Sequence, residues 1–337
     1  MSSQSILPTT ALRGVASDAQ ARADGRNDRL FRWLVAGAGM LVMLLLLGAA
    51  LSMAWGGRQA FATFGWKFFS SREWDINAGQ FGAFVPIMGT LVTALIAVLV
   101  AVPVSFGIAL FLTEVSPRWL RTPLGTAIEL LAGIPSIIYG MWGFFVLVPL
   151  MSEHVLPWLI NHLGDGTDDN GKPIGLGLSL FSGAPIGVGV LTAGIVLAIM
   201  IIPFICSVMR EVFLTVPSRL KESAYALGST RWEVIWDIVL PYTRTAVIGG
   251  IFLGLGRALG ETMAVTFVIG NSHDFSTSLV MPGTSIAATI ANEFNEATGD
   301  LHRSALIALA FVLFLVTFVV LAIAKLMLRQ LSKREGN

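Results

Sequence analysis

Long stretches without charge constrain this chain more than any other feature. A helix that crosses a hydrocarbon layer about 30 Å thick needs about 20 consecutive apolar residues, each rising about 1.5 Å. Six stretches meet that requirement, over about 33–57, 84–112, 124–150, 188–209, 245–270 and 304–324. They are too long for barrel strands, and backbone groups in lipid must pair within the chain, so the pattern predicts an all-α membrane protein with six transmembrane helices. Composition agrees, with 55% of residues hydrophobic and 13% charged. That excludes an ordinary soluble domain, which is about a quarter charged, and a disordered chain. With 22 basic and 21 acidic residues, a nucleic-acid binder relying on a basic surface is excluded as well.

Lys and Arg in alternate loops set the expected orientation. With the N-terminus inside, the inner segments hold 16 of the 22 basic residues and the outer ones 5, Arg257 lying within a span. Both termini are therefore expected in the cytoplasm. Residues 1–32 read as a polar cytoplasmic tail, mobile up to about residue 29, followed by a first span at 33–57 and an outer segment at 58–83. A core at 84–326 and a tail at 327–337 complete the division. The first apolar run is too long for a signal-peptide core and has no small-residue cleavage site.

Several features read as ordinary. Cys206 stands alone, so it forms no internal disulfide and reads as a small packing residue. Residues 166–173 approach a phosphate-binding loop, but Pro173 replaces the needed hydroxyl and Asp168 and Asp169 would repel phosphate, so an exposed Asn170–Gly171 turn is expected. His154, His162, His273 and His302 lack metal-ligand spacing and read as solvated side chains in or beside outer loops. No metal site, cofactor, nucleophile–base set or ATP-hydrolysing machinery is legible, so the chain reads as a non-enzyme that draws its energy from elsewhere.

The inner loop at 217–241 is the most informative stretch. Pro217 suits a helix start, and Leu220, Ala224 and Leu227 share one face of a short helix. Gly228 can take positive φ and end that helix. Thr230 and Glu233 form a capping box for a second helix, whose Trp232, Ile235, Trp236 and Val239 make an apolar stripe before Pro241. The product is a rigid helix–Gly–helix elbow at the inner membrane face.

Glu222-Ser223-Ala224, then Gly228, Ile238 and Pro241, resembles the EAA loop of ABC importer permeases, with Ser223 in place of that family's first Ala. Two further segments, Glu129–Gly140 and Gly256–Ala264, resemble the third- and fifth-span signatures of phosphate importer permeases. With its length, its six spans and its outer segment at 151–185, the chain is most similar to the C-type subunit, over roughly residues 30–330. The resemblance implies a type I importer permease (MetI-like) fold and an elbow that docks on an ATPase through Glu222, Ser223, Ala224, Gly228 and Arg231. It also implies a homologous A-type permease as heterodimer partner, two cytoplasmic ATP-binding subunits and a periplasmic phosphate-binding protein, with inorganic phosphate as cargo.

Charge inside a bilayer is costly, so intramembrane ionisable residues are candidate pathway groups. There are three: Glu129, Arg257 and Glu261. Arg257 lies about 18 Å into the fifth span, and Glu261, four residues on, shares its helix face. Two readings stand. The two can form a structural ion pair, or a bridge to the partner permease; alternatively, Arg257 presents its donor fork to a passing oxyanion while Glu261 orients it. Glu261 could also accept the proton of monohydrogen phosphate in a hydrogen bond, which sulfate cannot offer. Glu129 lies about 9 Å from the inner end of its span, within reach of Arg121 or Arg244, and reads as structural rather than as a gate.

Gly250 and Gly254, then Gly256 and Gly260, permit close helix contact, and Pro103, Pro135 and Pro203 are expected to interrupt their spans. The alternatives are a permease for molybdate or sulfate, an ATP-independent secondary transporter or channel, and a membrane scaffold.

Overall fold

The computed structural model describes residues 10–166 and 175–335, with the side chains of residues 10–30, 118 and 331–335 left aside. The expected Asn170–Gly171 turn lies outside the described residues. Two units are distinguished, the first ending at Trp55 and the second beginning at Gly56. The first is one helix, α1 (Thr10–Gly56), whose side chains from 31 to 49 are all exposed. It starts well inside the segment read as a polar tail, where frequent Ala and Arg are strong helix formers.

In the second unit α2 (Arg58–Phe64) and α3 (Lys67–Ser70) lead to a two-residue hairpin, β1 (Trp74–Asp75) against β2 (Gln80–Phe81). The hairpin pairs Trp74 with Phe81 and Asp75 with Gln80, antiparallel. The second span is α4 (Phe84–Leu110), closed by a π-turn at Phe111–Val115. The third span is interrupted at Pro135, as expected. The predicted 124–150 helix is split into α5 (Arg118–Ala132) and a rod from Ser136 to His162, because Pro135 lacks an N–H and Gly133 weakens the helix before it. That rod consists of α6 (Ser136–Trp142), α7 (Val148–Leu150) and α8 (Leu156–His162), joined by π-turns at Gly143–Leu147 and Met151–Val155.

The fourth span is α9 (Val190–Leu214), followed by the short elbow helices α10 (Ser218–Ala226) and α11 (Arg231–Val234). A π-turn at Ile235–Val239 leads into the fifth span, α12 (Leu240–Leu259). Pro241, the last residue of the inner loop read at 217–241, lies in the first turn of α12, and Arg231–Leu259 is a single rod rather than a loop followed by a span from 245. The wider π-turn just before Pro241 leaves room for a residue that cannot donate to the ladder. After Leu259 come α13 (Met263–Thr266), α14 (Ile286–Glu293) and the last span, α15 (Asp300–Glu335). Six helices are therefore long and apolar enough to cross a membrane.

The main core surrounds α9, whose Leu197, Ile201, Ile205 and Met209 are wholly buried. Burial between helices in lipid has little hydrophobic driving force, so close packing of small residues carries the association. A Cβ on Gly194 would sit 2.6 Å from Ile96 of α4; on Gly250, 2.8 Å from Val208; and on Gly254, 2.6 Å from Ile205. The first small-residue pair of α12 is thus its contact with α9. In the second pair, Gly256 meets Leu321 of α15 and Gly260 ends the helix. Pro103 and Pro203 do not interrupt α4 and α9, which run continuously through them. Ser105 of α4 donates to the Ile202 carbonyl of α9 at 3.1 Å, a polar contact between the two helices next to Pro203. Cys206 is buried among these helices.

Gly254→Leu should destabilise the protein by about 1–3 kcal/mol through overpacking against Ile205. Thermal unfolding in detergent checks this. Gly249→Leu, where nothing lies within 4 Å of a Cβ, should leave the midpoint unchanged.

A second, smaller core joins α2, α3 and the hairpin to α15 through Phe68, Phe81, Leu306 and Leu309. Here two histidines depart from expectation. His302 is buried, and its Nε2 pairs with Glu293 Oε2 at 2.9 Å, while His273 Nε2 pairs with Oε1 at 2.8 Å. Trp74 Nε1 donates to Oε2 at 2.9 Å, and Trp74 and Phe81 stack on His273 and His302. The reason is local: a half-buried carboxylate needs donors from several elements, and these imidazoles supply two. His154 and His162 are exposed, as expected.

Burial pushes the Glu293 carboxyl up, but the hydrogen bonds from His273, His302 and Trp74 outweigh it, so the group titrates below its ordinary value. The stability it contributes is complete above that ordinary value and is lost as the pH falls through the depressed one. Acid unfolding should therefore show a limb below pH about 4.5 that flattens in Glu293→Gln.

Candidate functional site

Two broken helices meet beside Arg257. The first break is Gly133-Ile134-Pro135, between α5 and α6; the second is Gly260-Glu261-Thr262, between α12 and α13. α6 packs directly on α13 because Gly140 has no side chain: a Cβ there would lie 2.8 Å from Phe267, 3.0 Å from the Ala264 Cα and 3.1 Å from the Met263 carbonyl. Tyr139, next to that contact, donates to the Leu131 carbonyl at 2.9 Å, tying α6 back across the break to α5.

Arg257 occupies the last turn of α12, where a cation is favourable to the helix dipole. Its side chain is exposed in the chain, with the guanidinium carbon 5.8 Å from the Phe204 ring and Tyr139 within electrostatic reach. Arg257 and Glu261 form no ion pair. The helix ends at Gly260, so the four-residue spacing no longer places the two on one face. Glu261 instead turns to α13, where its Oε1 accepts the Ala264 N–H at 3.2 Å. Both expected relations, a structural pair within the chain and orientation of Arg257 by Glu261, are replaced by separate positions on either side of a break. What the arrangement offers is a cationic fork beside aromatic rings, next to a carboxylate with one oxygen already committed.

Glu129 lies on α5, outside the rod that starts at Ser136, and pairs with Arg210 of α9 at 2.9 Å. Of its expected partners, Arg121 instead donates to the Ser116 carbonyl. Gly125 makes the actual pairing possible, since a Cβ there would fall 2.8 Å from the Arg210 guanidinium carbon. The sequence signal for this partner was weak, because Arg210 is 81 residues away.

The elbow forms as expected. Gly228 has φ 92°, and the Thr230–Glu233 capping box is complete. Glu222, Ser223, Gly228 and Arg231 are exposed and Ala224 is half-buried; Ser223 donates to the Arg219 carbonyl of its own helix. The apolar face of α10 is not buried: Leu220 is exposed and Leu227 is 88% exposed, next to exposed Tyr225, Trp232 and Trp236. Trp232 and Trp236 pack edge to face at 5.5 Å. An exposed apolar cluster rimmed by charge marks a protein interaction surface.

Six spans, discontinuous helices around an intramembrane Arg and an exposed elbow define a multi-pass permease of the inner membrane. Residues 102–333 match the family described as binding-protein-dependent transport system inner membrane component, and the chain belongs to it. It is 65% identical to the phosphate transport system permease protein PstC of Xylella fastidiosa strain Temecula1, over 93% of this chain and 94% of that one. Identity is 56% to PstC of Pasteurella multocida, over 92% and 94%, and 53% to PstC of Mesorhizobium japonicum, over 99% and 98%. Two solved structures share the fold. One is a bacterial alginate ABC transporter in complex with an alginate pentasaccharide-bound periplasmic protein (TM-score 0.58, 20% identity, 89% of this chain and 96% of that one). The other is an inward-facing MetNI methionine ABC transporter (TM-score 0.52, 14% identity, 73% and 94%).

Proposed function

We propose that this chain is a transport subunit of an ATP-driven importer that moves inorganic phosphate across the inner membrane. A homologous A-type permease forms the other half of the pathway, two cytoplasmic ATPase subunits bind the elbow, and a periplasmic phosphate-binding protein delivers the anion. The elbow faces the cytoplasm, as do both termini. The residues that meet the ATPase are Glu222, Ser223, Ala224, Gly228 and Arg231, around the exposed Leu227 and Trp232.

One observation carries the mechanism: the second half of the elbow and the helix bearing Arg257 are a single rod, Arg231–Leu259. Displacement at Arg231 is passed along roughly 40 Å of helix to Arg257, beside the two breaks. Arg257 presents its donors to phosphate, and the second carboxylate oxygen of Glu261 accepts the anion's proton in a hydrogen bond. Discontinuous helices suit this work, because irregular backbone at membrane depth is tolerated where it lines a cavity. Glu129, paired with Arg210, holds α5 against α9 and serves the frame rather than the passage.

The test is uptake of labelled phosphate into vesicles containing the complete importer, with phosphate, molybdate and sulfate as competitors. Phosphate should compete far better than either of the others. Equal competition by molybdate or sulfate would reassign the anion, and uptake without ATP would reassign the energy source.

A further inference from the structure

α10 is an outlying helix with no wholly buried residue; apart from Ala224 at the edge of the core, its side chains point outward. Yet Lys221, in its middle, reaches Glu114 in the π-turn that closes α4, and the ion pair is secluded, with side-chain exposures of 18% and 9%. This pair is a side-chain polar link between α10 and the end of a membrane-spanning helix. The other half of the elbow is differently attached, since α11 runs into α12 through the π-turn at Ile235–Val239. The two halves thus feed two spans that both pack on α9: α12 through backbone, and α4 through a salt bridge.

We propose that the Lys221–Glu114 pair is the strut that carries elbow displacement to α4, so that α4 and α12 move together during transport. The inference rests on the elbow being the ATPase-docking element. A secluded pair suits a strut: separating its partners strands a charge away from water, so the two ends stay together when either moves. π-turns often mark functional positions in helices, and this one puts the acceptor at the end of α4. Lys221 and Glu114 are positioning residues with no contact to the transported anion.

The experiment uses the complete importer in proteoliposomes, with inorganic phosphate uptake and ATP hydrolysis measured on the same preparation and assembly checked by co-purification. Glu114→Gln and Lys221→Met should each lower the phosphate moved per ATP hydrolysed by about tenfold, within the usual range of coupling between sites. Lys221→Arg, and the exchanged pair Glu114→Lys with Lys221→Glu, should keep that ratio within about twofold of the starting protein. Gly228→Pro is run alongside. If it uncouples transport while Glu114→Gln and Lys221→Met do not, the strut is overturned and the elbow stands. If all three couple normally, the elbow reading fails and the strut with it. If neither Glu114→Gln nor Lys221→Met assembles, the pair is a folding staple, and the proposal is overturned by that result too.

Discussion

Arg257→Gln is expected to reduce phosphate uptake about ten- to a hundredfold while the importer still assembles, because a hydrogen bond to a charged group contributes about 1.5–3 kcal/mol. The separation of effects follows from the geometry. Arg257 is exposed in the chain and has no carboxylate partner among the described residues, so neutralising it strands no buried charge there. Its neighbours are the Phe204 ring and Tyr139, and neutralising it forfeits a cation–π contact worth about 0.5–1 kcal/mol. Initial rates of labelled phosphate uptake, normalised to purified complex, decide the matter: a normal rate removes Arg257 from the pathway. Glu261 adds an internal comparison. Glu261→Gln keeps an Oε1 that can accept the Ala264 N–H, so it removes only the charge. Glu261→Ala also removes the α13 cap, at a cost of about 1 kcal/mol. Uptake lost in both variants points to the charge itself; uptake lost only in the Ala variant points to the cap.

How legible this was depended on whether each feature was local. The six spans follow from run length alone, and the elbow from residues at most a few positions apart: Pro217, Gly228, Thr230 and Glu233 all act as their types require. Gly250 and Gly254 were legible for the same reason, since small residues four apart have one evident use in a membrane helix. The continuity of Arg231–Leu259 was not. Pro241 is ordinarily a stop, and a five-residue π-turn leaves the apolar spacing around it almost unchanged, so nothing in the pattern announces it. The break at Gly133–Pro135 was legible in Pro135, whereas the run of the following rod on to His162, past the expected end near residue 150, was not.

Partners distant in sequence were the least legible. Glu129 found Arg210 because Gly125 opened space for it, and Glu114 found Lys221 because α4 ends beside the elbow. Charge counting put three of these four in loops, where each reads as a solvated charge. The histidines failed in the same way. A solvated loop is the ordinary reading of His302, and only the meeting of the hairpin, α14 and α15 makes it an internal donor.

Gly228→Pro should abolish coupled transport more completely than any other substitution outside the Arg257 site. Gly228 holds φ at 92°, and Pro is confined near −65°, so the turn between α10 and α11 cannot form as it stands. Nothing lies within 4 Å of a Cβ at this position, so the variant acts on the backbone, through φ and through loss of the Gly228 N–H that donates to the Tyr225 carbonyl at 3.0 Å. The bundle should persist, because its core is centred on α9, and α10 contributes no wholly buried side chain. Expected, then, is normal insertion in the membrane, normal thermal stability of the purified chain, and phosphate uptake reduced to background whether or not ATP is hydrolysed. Gly228→Ala grades the effect, since an L-residue in left-handed backbone costs about 1–2 kcal/mol and leaves the elbow populated in part. Glu222→Lys probes the same surface without touching the backbone, the side chain being exposed and on the face next to Leu227 and Tyr225. If Gly228→Pro transports phosphate at the unaltered rate, the elbow does not transmit force, and the rod from Arg231 to Leu259 must be moved from elsewhere.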